Sequence, residues 1–418
     1  MTLIGDMLDD DVRPNRLPDV EWLRAYLDGG SPAGEPLLLA LGETWEGTPP
    51  RLLDALRNVP ADTHGYQMSM YGLPLLRRLM KQYVRTSQGL PDDGSWELAV
   101  SWTGTRSAMR DFAVHLRGRR CTDESASVLV VAPAWDYAGL MEPLGFRMAY
   151  VETSAQDGFL PSESSIRRTA ADLADLALVV VNAQHNPTGH NWRPEVVQAL
   201  VDQAVDRGAA ILVDDAYFGL CPPDAPATSA TAILLETLAA RGADVPWLSV
   251  RSFGKQFHCN GWGVGAVLAA PGFLDDLVNE LRPQHTYNYG VHLQYAMAQW
   301  LADGPAVEEY LSRENATLAR KRAAVVQALG AAGAGRVVAG PAAPYILFEV
   351  PEKYADAERE YLRRCGLDAG VFLSPSWPVA REAKQSGSGF ARMYLGPELP
   401  LLLEAVERLR KAQLVQRH

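Results

Sequence analysis

The sequence predicts an α/β fold in which a mostly parallel sheet is sandwiched by helices, followed by a smaller α+β domain. Short, continuously apolar runs rich in β-branched residues recur between residues 97 and 270, and longer stretches with helical spacing separate them. Strands that are apolar along their whole length are typical of a parallel sheet covered by helices on both faces. Beyond about residue 290 this alternation ends, which indicates a change of domain.

Six apolar runs are the predicted strands of the sheet. They cover residues 97–102, 127–132, 177–182, 209–214, 247–253 and 264–270. Between the third and fourth runs, a helix is predicted to begin at Pro194, since proline fits a first helical turn, and to end before Arg207-Gly208. These three elements form one βαβ crossover.

The C-terminal part of the chain is predicted to form the smaller domain. Its predicted elements are a long helix over 307–329, a hairpin-like segment over 337–350, a strand over 391–395 and a terminal helix from Leu399. A length of 418 residues fits two unequal domains better than a single core.

Composition and charge argue against several classes of protein. The 39 Lys and Arg residues against 50 Asp and Glu residues give a formal net charge of -11 without a basic stripe, so no nucleic-acid partner is expected. Four cysteines lack the spacing of a zinc site or a disulfide framework and favour a reducing, cytoplasmic setting. They are Cys121, Cys221, Cys259 and Cys365. The N-terminus lacks a signal-peptide pattern and no apolar run approaches about 20 residues, so neither export nor membrane association is expected.

Three segments in a fixed order carry the most specific signal in the chain. Asn186-Pro-Thr-Gly189 precedes Asp214-Asp-Ala-Tyr217, and both precede Ser252-Phe-Gly-Lys-Gln-Phe-His-Cys-Asn-Gly-Trp-Gly-Val-Gly265. The first segment alone is a common turn, but the set resembles the lysine region of the pyridoxal-phosphate-dependent aminotransferase-like family, the class I/II aminotransferases of fold type I. The resemblance extends from about residue 37 to residue 396.

The resemblance implies a cofactor and a domain division. The cofactor is pyridoxal 5'-phosphate, and the large domain has the PLP-dependent transferase fold. In the family, about the first fifty residues pack with the C-terminal domain. We therefore expect a large domain over residues 51–288 and a small domain built from residues 1–50 and 289–418.

Lys255, Asp214 and Tyr217 are the candidate catalytic residues. A pyridoxal-phosphate enzyme needs a lysine that forms a Schiff base and moves protons at the substrate α-carbon. Lys255 follows an apolar run and lies among small and aromatic residues, where desolvation favours the neutral amine. The cofactor ring accepts electrons well only while its nitrogen is protonated, which calls for a buried carboxylate, and Asp214 ends an apolar run.

The resemblance assigns further residues around the cofactor ring. Tyr217 and Asn186 match the family's hydrogen-bond donors to the phenolic oxygen, and Trp135, which follows Pro133, matches the aromatic side chain above the ring. Asn186 and Trp135 are also expected to contact the substrate. A core position for Trp135 is the alternative.

The phosphate group calls for backbone N–H groups at a helix N-terminus and a cation. Gly104 and Thr105 stand between a predicted strand and a predicted helix, where the family has its phosphate cup. Hydroxyl groups of Thr105, Ser107 and Ser252 are further candidate donors to the phosphate.

The phosphate cup departs from the family pattern at one position. The family has an arginine eight residues after its lysine, whereas this chain has Gly263. We expect Arg106 to replace the missing cation, because a guanidinium can form a bidentate pair with a phosphate. The alternative is that Arg106 faces solvent or an acidic group of the substrate.

Tyr66 lies near the place where a partner subunit of the family offers a tyrosine to the phosphate. Its spacing to Gly72 is one residue longer than the common form, so Tyr71 is a second candidate, and a core role is open for either. The resemblance thus implies a homodimer with shared active sites.

Arg392, in Gly389-Phe-Ala-Arg-Met-Tyr-Leu-Gly396, matches the small-domain arginine that binds the substrate α-carboxylate through two parallel hydrogen bonds. For the substrate side chain, the segment 282–289 is open to either a recognition or a packing role. His258 is open to an acid-base or a structural role, and Cys259 is expected to be a small buried side chain.

The expected reaction is amino-group transfer on a free L-amino acid, with Lys255 abstracting the α-proton. The alternative is a lyase or synthase of the same family that eliminates or replaces a β or γ group, or forms a C–C bond, for example on a substrate like S-adenosylmethionine. Gly263, Arg106 and the segment Gly72-Leu-Pro favour that alternative. A ligand-sensing regulator is not expected, because the roughly 36 residues before the first family-like strand are too few and too acidic for a helix-turn-helix.

Overall fold

The computed structural model describes residues 18–40, 47–119, 126–354, 357–376 and 389–416. Cys121 lies outside the described residues. The chain divides into two compact units. The larger unit holds the described residues of Glu43–Thr317 and Gly340–Ala343, and the smaller unit holds those of Met1–Gly42, Leu318–Ala339 and Pro344–His418.

The helices and strands are numbered here in chain order within the described residues. The strands are β1 (Leu37–Leu38), β2 (Glu97–Ser101), β3 (Ser127–Val131), β4 (Arg147–Val151), β5 (Leu176–Val181), β6 (Ala210–Asp214), β7 (Trp247–Ser252), β8 (Gly265–Ala269), β9 (Val337–Val338), β10 (Tyr345–Glu349), β11 (Val371–Phe372), β12 (Ser374–Pro375) and β13 (Phe390–Tyr394). The α-helices are α1 (Pro18–Asp28), α2 (Pro50–Arg57), α3 (Pro74–Gln88), α4 (Thr105–Arg119), α5 (Ala138–Met141), α6 (Glu163–Ala171), α7 (Pro194–Asp206), α8 (Ala230–Arg241), α9 (Phe253–Gln256), α10 (Pro271–Asp276), α11 (Val291–Leu301), α12 (Gly304–Ala331), α13 (Glu358–Ala369) and α14 (Leu399–Lys411).

A seven-stranded sheet forms the centre of the larger unit, in the order β2-β8-β7-β6-β5-β3-β4 among the described residues. Strands β7, β6, β5, β3 and β4 run parallel to one another, whereas β8 runs antiparallel to both of its neighbours. Every residue of β3, β6 and β8 is buried, and helices α3, α4 and α7 pack against the sheet. The predicted α/β fold with a mostly parallel sheet is confirmed.

The structure adds one strand to the six that the sequence predicts. Strand β4 reads Arg-Met-Ala-Tyr-Val, and only its last residue is buried. It lies at the edge of the sheet, where a strand needs no continuous apolar run because one side meets solvent. The sequence also does not predict that β8 is antiparallel. An apolar run reflects the burial of a strand and not its direction.

The chain passes from the larger unit to the smaller unit after Thr317, whereas the sequence predicts a domain boundary at residue 288. Helix α11 counts with the larger unit, because Met297 and Trp300 belong to the same apolar core as Leu52 and Leu76. The smaller unit begins again only at Leu318, inside helix α12. A helix that continues from one unit into the next gives no turn signal to mark the division.

The smaller unit combines helices with two small sheets. Strands β12, β13, β10 and β9 form an antiparallel sheet in that order, and β1 pairs in parallel with β11. Its apolar core joins Leu37, Val325, Phe348, Met393 and Leu409, which confirms the smaller α+β domain. Within the described ranges, no helix has both the length and the apolar character that crossing a membrane requires.

Candidate active site

The carboxyl ends of five strands bring the predicted site residues to one edge of the sheet in the larger unit. Strands β3, β5, β6 and β7 are parallel, and β2 shares their direction because both β2 and β7 are antiparallel to β8. Gly104, Trp135, Asn186, Asp214 and Lys255 stand at or just after the ends of β2, β3, β5, β6 and β7, respectively. Ligands of open α/β sheets bind at this edge.

Asp214 is a buried carboxylate with neutral hydrogen-bond partners. Tyr137 donates its hydroxyl to Oδ2 over 2.6 Å, and the N–H of Ala216 donates to Oδ1 over 3.2 Å. Burial raises the pKa of Asp214 to about 6, although both hydrogen bonds favour the ionised form and lower it. A cation beside this carboxylate, such as a protonated pyridine nitrogen, would offset the cost of its burial.

Asn182 links two of the predicted residues. Its amide nitrogen donates to the backbone oxygen of Asp214 over 2.6 Å, and its Oδ1 accepts the N–H of Asn186 over 2.9 Å. All three residues are buried. Neither Asn182 nor Tyr137 is among the site residues that the sequence predicts. The available signal for Asn182 is an amide directly after an apolar strand.

Lys255 lies on α9, a helix of only four residues. The Ser252 hydroxyl caps this helix, since it accepts the Lys255 N–H over 3.4 Å. Phe253 and Gln256 are buried on either side of the lysine in sequence. A single helical turn is not stable by itself, so the position of Lys255 depends on the residues that contact α9.

Trp135 and Tyr217 are placed differently. The Trp135 ring meets the Tyr137 ring edge to face, with centroids 5.2 Å apart, which connects it through Tyr137 to Asp214. Trp135 remains partly exposed. Tyr217, three residues beyond Asp214, is buried.

The turn at Gly104 has the geometry of an anion seat. Gly104 has φ +79°, and helix α4 begins at Thr105, so the first N–H groups of α4 have no helical partner. The Ser107 hydroxyl bonds the Gly104 carbonyl over 2.7 Å and lies 2.6 Å from the Thr103 hydroxyl.

Gly263 packs its backbone against this turn. Its carbonyl accepts the Gly104 N–H over 2.9 Å, and its φ is +65°. A Cβ at this position would stand 2.7 Å from the Trp102 carbonyl oxygen, closer than such atoms approach. The backbone geometry therefore requires glycine where the family has its arginine.

Arg106 is paired within its own chain. Its guanidinium donates to Asp136 over 2.8 Å and lies 4.9 Å from the centre of the Trp135 ring. Both members of the ion pair are about half exposed. The expectation that Arg106 holds the phosphate remains a prediction, and it requires the guanidinium to exchange partners.

The segment after residue 281 packs inside the larger unit. Arg282 is buried and donates to the carbonyl oxygens of Met70 and Val100, each over 3.0 Å, and His285 lies 2.8 Å from Asp111. These contacts favour the packing role for Arg282.

The two tyrosine candidates differ in exposure. The Tyr71 hydroxyl donates to Asp275 over 3.0 Å, and burial raises the pKa of Tyr71 to about 12. Tyr66 is 74% exposed.

The residues after Lys255 have structural contacts. His258 adopts φ +52°, and its carbonyl accepts the Thr48 hydroxyl over 2.5 Å. Its ring nitrogen lies 3.9 Å from Glu314. Cys259 is buried, as expected.

Arg392 lies on β13 in the smaller unit. Its guanidinium donates to the Ala40 carbonyl over 3.0 Å and to the Ser374 hydroxyl over 3.2 Å, and it stacks 4.5 Å from the centre of the Tyr345 ring. These contacts orient a planar donor, which suits recognition of a carboxylate.

We predict that Asp214→Asn stabilises the cofactor-free protein at high pH. The pKa of Asp214 is about 6 in the folded state against an ordinary 3.8, so the free energy of unfolding falls as the pH rises from about 4 to 6 and stays lower above that range. The loss is roughly 3 kcal/mol, and asparagine abolishes it. Melting temperatures measured at pH 4 and pH 8 should show a larger gain at pH 8, with the exposed Asp157→Asn as control. Equal gains at both pH values would contradict this electrostatic account.

Comparison with known proteins identifies the family. Residues 38–389 match the family described as aminotransferase class I and II. The chain is 25% identical over 347 residues to an aspartate/prephenate aminotransferase of Thermus thermophilus, covering 82% of this chain and 83% of that one. It is 28% identical over 384 residues to an LL-diaminopimelate aminotransferase of Desulforudis audaxviator, covering 89% of each.

Solved structures agree on the fold. An aspartate aminotransferase from Thermus thermophilus with maleate has a TM-score of 0.77 and 22% identity, with 99% of each chain covered. The buried carboxylate of Asp214, the turn at Gly104 and Lys255 would suit the ring nitrogen, the phosphate and the aldehyde of pyridoxal 5'-phosphate, respectively. The chain belongs to the class I and II aminotransferases and is a transferase that uses pyridoxal 5'-phosphate.

Proposed function

We propose that this enzyme transfers the amino group of a free L-amino acid, with Lys255 as the residue that moves the α-proton. The observation that supports this most strongly is the convergence of Lys255, Asp214 and Asn186 at one sheet edge. Bound pyridoxal phosphate supplies an electron sink for the substrate α-carbon. The protein residues bind, orient and exchange protons around it.

Each residue at the site has a distinct proposed role. Asp214 keeps a positive charge on the ring nitrogen. A buried, ionised carboxylate raises the pKa of a basic group beside it, because the opposite charge favours the protonated form of that group. Tyr217 and Asn186 donate to the phenolic oxygen, and Trp135 covers the ring. Arg392 fixes the substrate carboxylate, which decides which bond at the α-carbon is broken.

The phosphate seat is proposed to form around α4. The turn at Gly104 and the first N–H groups of α4 bind the phosphate oxygens, with Thr105, Ser107 and Ser252 as hydroxyl donors. Arg106, at the start of α4, supplies the positive charge in place of the arginine that the Gly263 backbone excludes.

An alternative reaction is elimination or replacement at the β or γ carbon, or C–C bond formation, on an amino acid with a leaving group. It is favoured by the glycine at position 263, since the cup differs from the family pattern. The relatives named above are aminotransferases, which favours amino transfer.

We predict that the purified enzyme gives a half-reaction. An amino acid added without a keto acid should shift the absorbance of the bound cofactor, and a keto acid should restore it. Lys255→Ala should slow the shift by at least about 100-fold, the lower range of acid-base catalysis, whereas the exposed-lysine control Lys353→Ala should not. An unchanged band with continuous release of a fragmented product would instead indicate a lyase.

We predict that Arg106→Ala weakens cofactor binding by roughly 10-fold to 100-fold, since a hydrogen bond to a charged group contributes about 1.5–3 kcal/mol. Asp136→Asn is the matched control: it removes the partner of Arg106 and leaves the guanidinium, so cofactor affinity should not fall. Dissociation constants measured by titrating the cofactor-free protein decide the question. An unchanged constant for Arg106→Ala, with a raised KM for a dicarboxylic amino acid, would assign Arg106 to the substrate.

We further propose a homodimer whose subunits share active sites. Tyr66, Met68 and Tyr287 form an exposed patch, at 74%, 91% and 65% exposure, and the rings of Tyr66 and Tyr287 lie 6.2 Å apart. Neighbouring segments are joined by a bridge between Gln67 and Asn288. Large apolar side chains exposed together are typical of a protein interface. Tyr66 would then reach the partner's phosphate.

We predict that sedimentation of the wild type gives a dimer at micromolar concentration and that Met68→Asp shifts it toward monomer, because a charge would be buried at the interface. Leu160→Asp is the control, since Leu160 is exposed outside the patch. A monomeric wild type would rule out this surface as a stable interface.

We place the enzyme in amino-acid biosynthesis in the cytoplasm. Support for the cytoplasmic setting comes from the three described cysteines, Cys221, Cys259 and Cys365, which are buried and far apart in sequence, as suits a reducing compartment.

A further inference from the structure

Arg251 carries a buried charge that the proposed reaction leaves unexplained. It is the penultimate residue of β7 and only 1% exposed. Its guanidinium donates to the Ser87 hydroxyl over 2.8 Å, and it lies 4.7 Å from the Phe218 ring centre and 4.9 Å from that of Tyr83. No carboxylate among the described residues lies within ion-pair distance of it, so its burial costs more than that of an ordinary pair.

The same guanidinium reaches the residue next to the catalytic lysine. Arg251 donates to Gln256 Oε1 over 3.1 Å and to the Tyr83 hydroxyl over 3.3 Å, and Gln256 Nε2 donates to that hydroxyl over 2.6 Å. The carboxamide of Gln256 is thus held at both ends. Gln256 is the last residue of the four-residue helix α9 that carries Lys255.

A second set of contacts holds the residue next to Asp214. Asp215 is fully buried, and its Oδ2 accepts from Gln88 Nε2 over 2.7 Å and from the Thr231 hydroxyl over 3.1 Å. Thr231 in turn lies 2.7 Å from the Ser249 hydroxyl on β7. At longer range, the positive charge of Arg251 lowers the pKa of Asp215, which burial raises.

Both sets of contacts are anchored on the last turns of α3. Tyr83 and Ser87 are four residues apart and therefore share one face of the helix, and Gln88 is adjacent. Helix α3 is long and packs into the core through Leu76, Met80 and Val84. A rigid helix thus supports both the turn that carries Lys255 and the strand end that carries Asp214.

We propose that Arg251, Tyr83 and Gln256 are positioning residues for Lys255, and that the charge of Arg251 tunes the protonation of the lysine nitrogen bound to the cofactor. This builds on the proposed role of Lys255. The geometry points to a turn carrying Lys255 and a strand end carrying Asp214 that are both held by side chains of α3. A displaced lysine would reach the α-carbon poorly, although substrate would still bind.

Three variants separate charge from geometry. Arg251→Met removes the charge and the hydrogen bonds with little change of volume, Arg251→Lys keeps the charge, and Tyr83→Phe removes only the shared hydroxyl. The readouts are the pH midpoint of the absorbance change of the lysine-bound cofactor, and kcat and KM separately. Tyr361→Phe is the matched control, because Tyr361 is a buried tyrosine of the smaller unit whose hydroxyl bonds the Leu414 carbonyl over 2.9 Å.

Arg251→Met should raise the pH midpoint by about one unit, a tenfold change in protonation, because removal of a nearby positive charge favours the cationic form. Arg251→Lys should leave the midpoint near that of the wild type. All three variants should lower kcat about tenfold with KM within about twofold, as expected when a transition-state contact is misplaced. If Arg251→Met does not fold, the kcat of Tyr83→Phe decides.

The proposal is overturned if Arg251→Met titrates like the wild type with unchanged kcat, or if Tyr361→Phe produces the same changes as Tyr83→Phe. Failure of the proposed function is a separate result. In that case the wild type itself would show no absorbance band that depends on Lys255.

Discussion

Burial of the Asp214 carboxylate is the constraint on which the rest of the site depends. Its hydrogen bonds come from the neutral donors Tyr137 and Ala216, and they do not cancel the cost of removing the charge from water. Asp214 ends a central strand that is buried along its length, so the fold holds this carboxylate away from water. A site that is unfavourable for a lone carboxylate is favourable for a carboxylate beside a cation.

The backbone at position 263 accounts for a glycine where the resemblance predicts an arginine. The Gly104 N–H donates a hydrogen bond to the Gly263 carbonyl, and both residues have positive φ. This close approach leaves no room for a Cβ at position 263. Arg106, at the start of α4, is the cation that we propose for the phosphate instead.

Residues that are adjacent in sequence have different contacts around the predicted site. Asp214 and Lys255 are the predicted catalytic residues, whereas the side chains of Asp215 and Gln256, one position further along, lie in buried hydrogen-bond networks. Asp214 ends strand β6, where successive side chains point to opposite faces, and Lys255 and Gln256 lie on the helical turn α9, where successive side chains diverge around the helix axis. Gln88 and Tyr83 of α3 thus bind the residues that directly follow Asp214 and Lys255 in sequence.

The sequence by itself determined the class of fold and, through the family resemblance that three short motifs carry, the cofactor, because strand burial and the order of those motifs are local properties of the chain. The site residues remain predictions. Tertiary structure alone placed Tyr137 and Asn182 around Asp214, added β4 and assigned α11 to the larger unit. It also showed that Arg282 is buried and that Arg106 pairs with Asp136. These outcomes depend on contacts between residues far apart in the chain, which a local pattern does not encode.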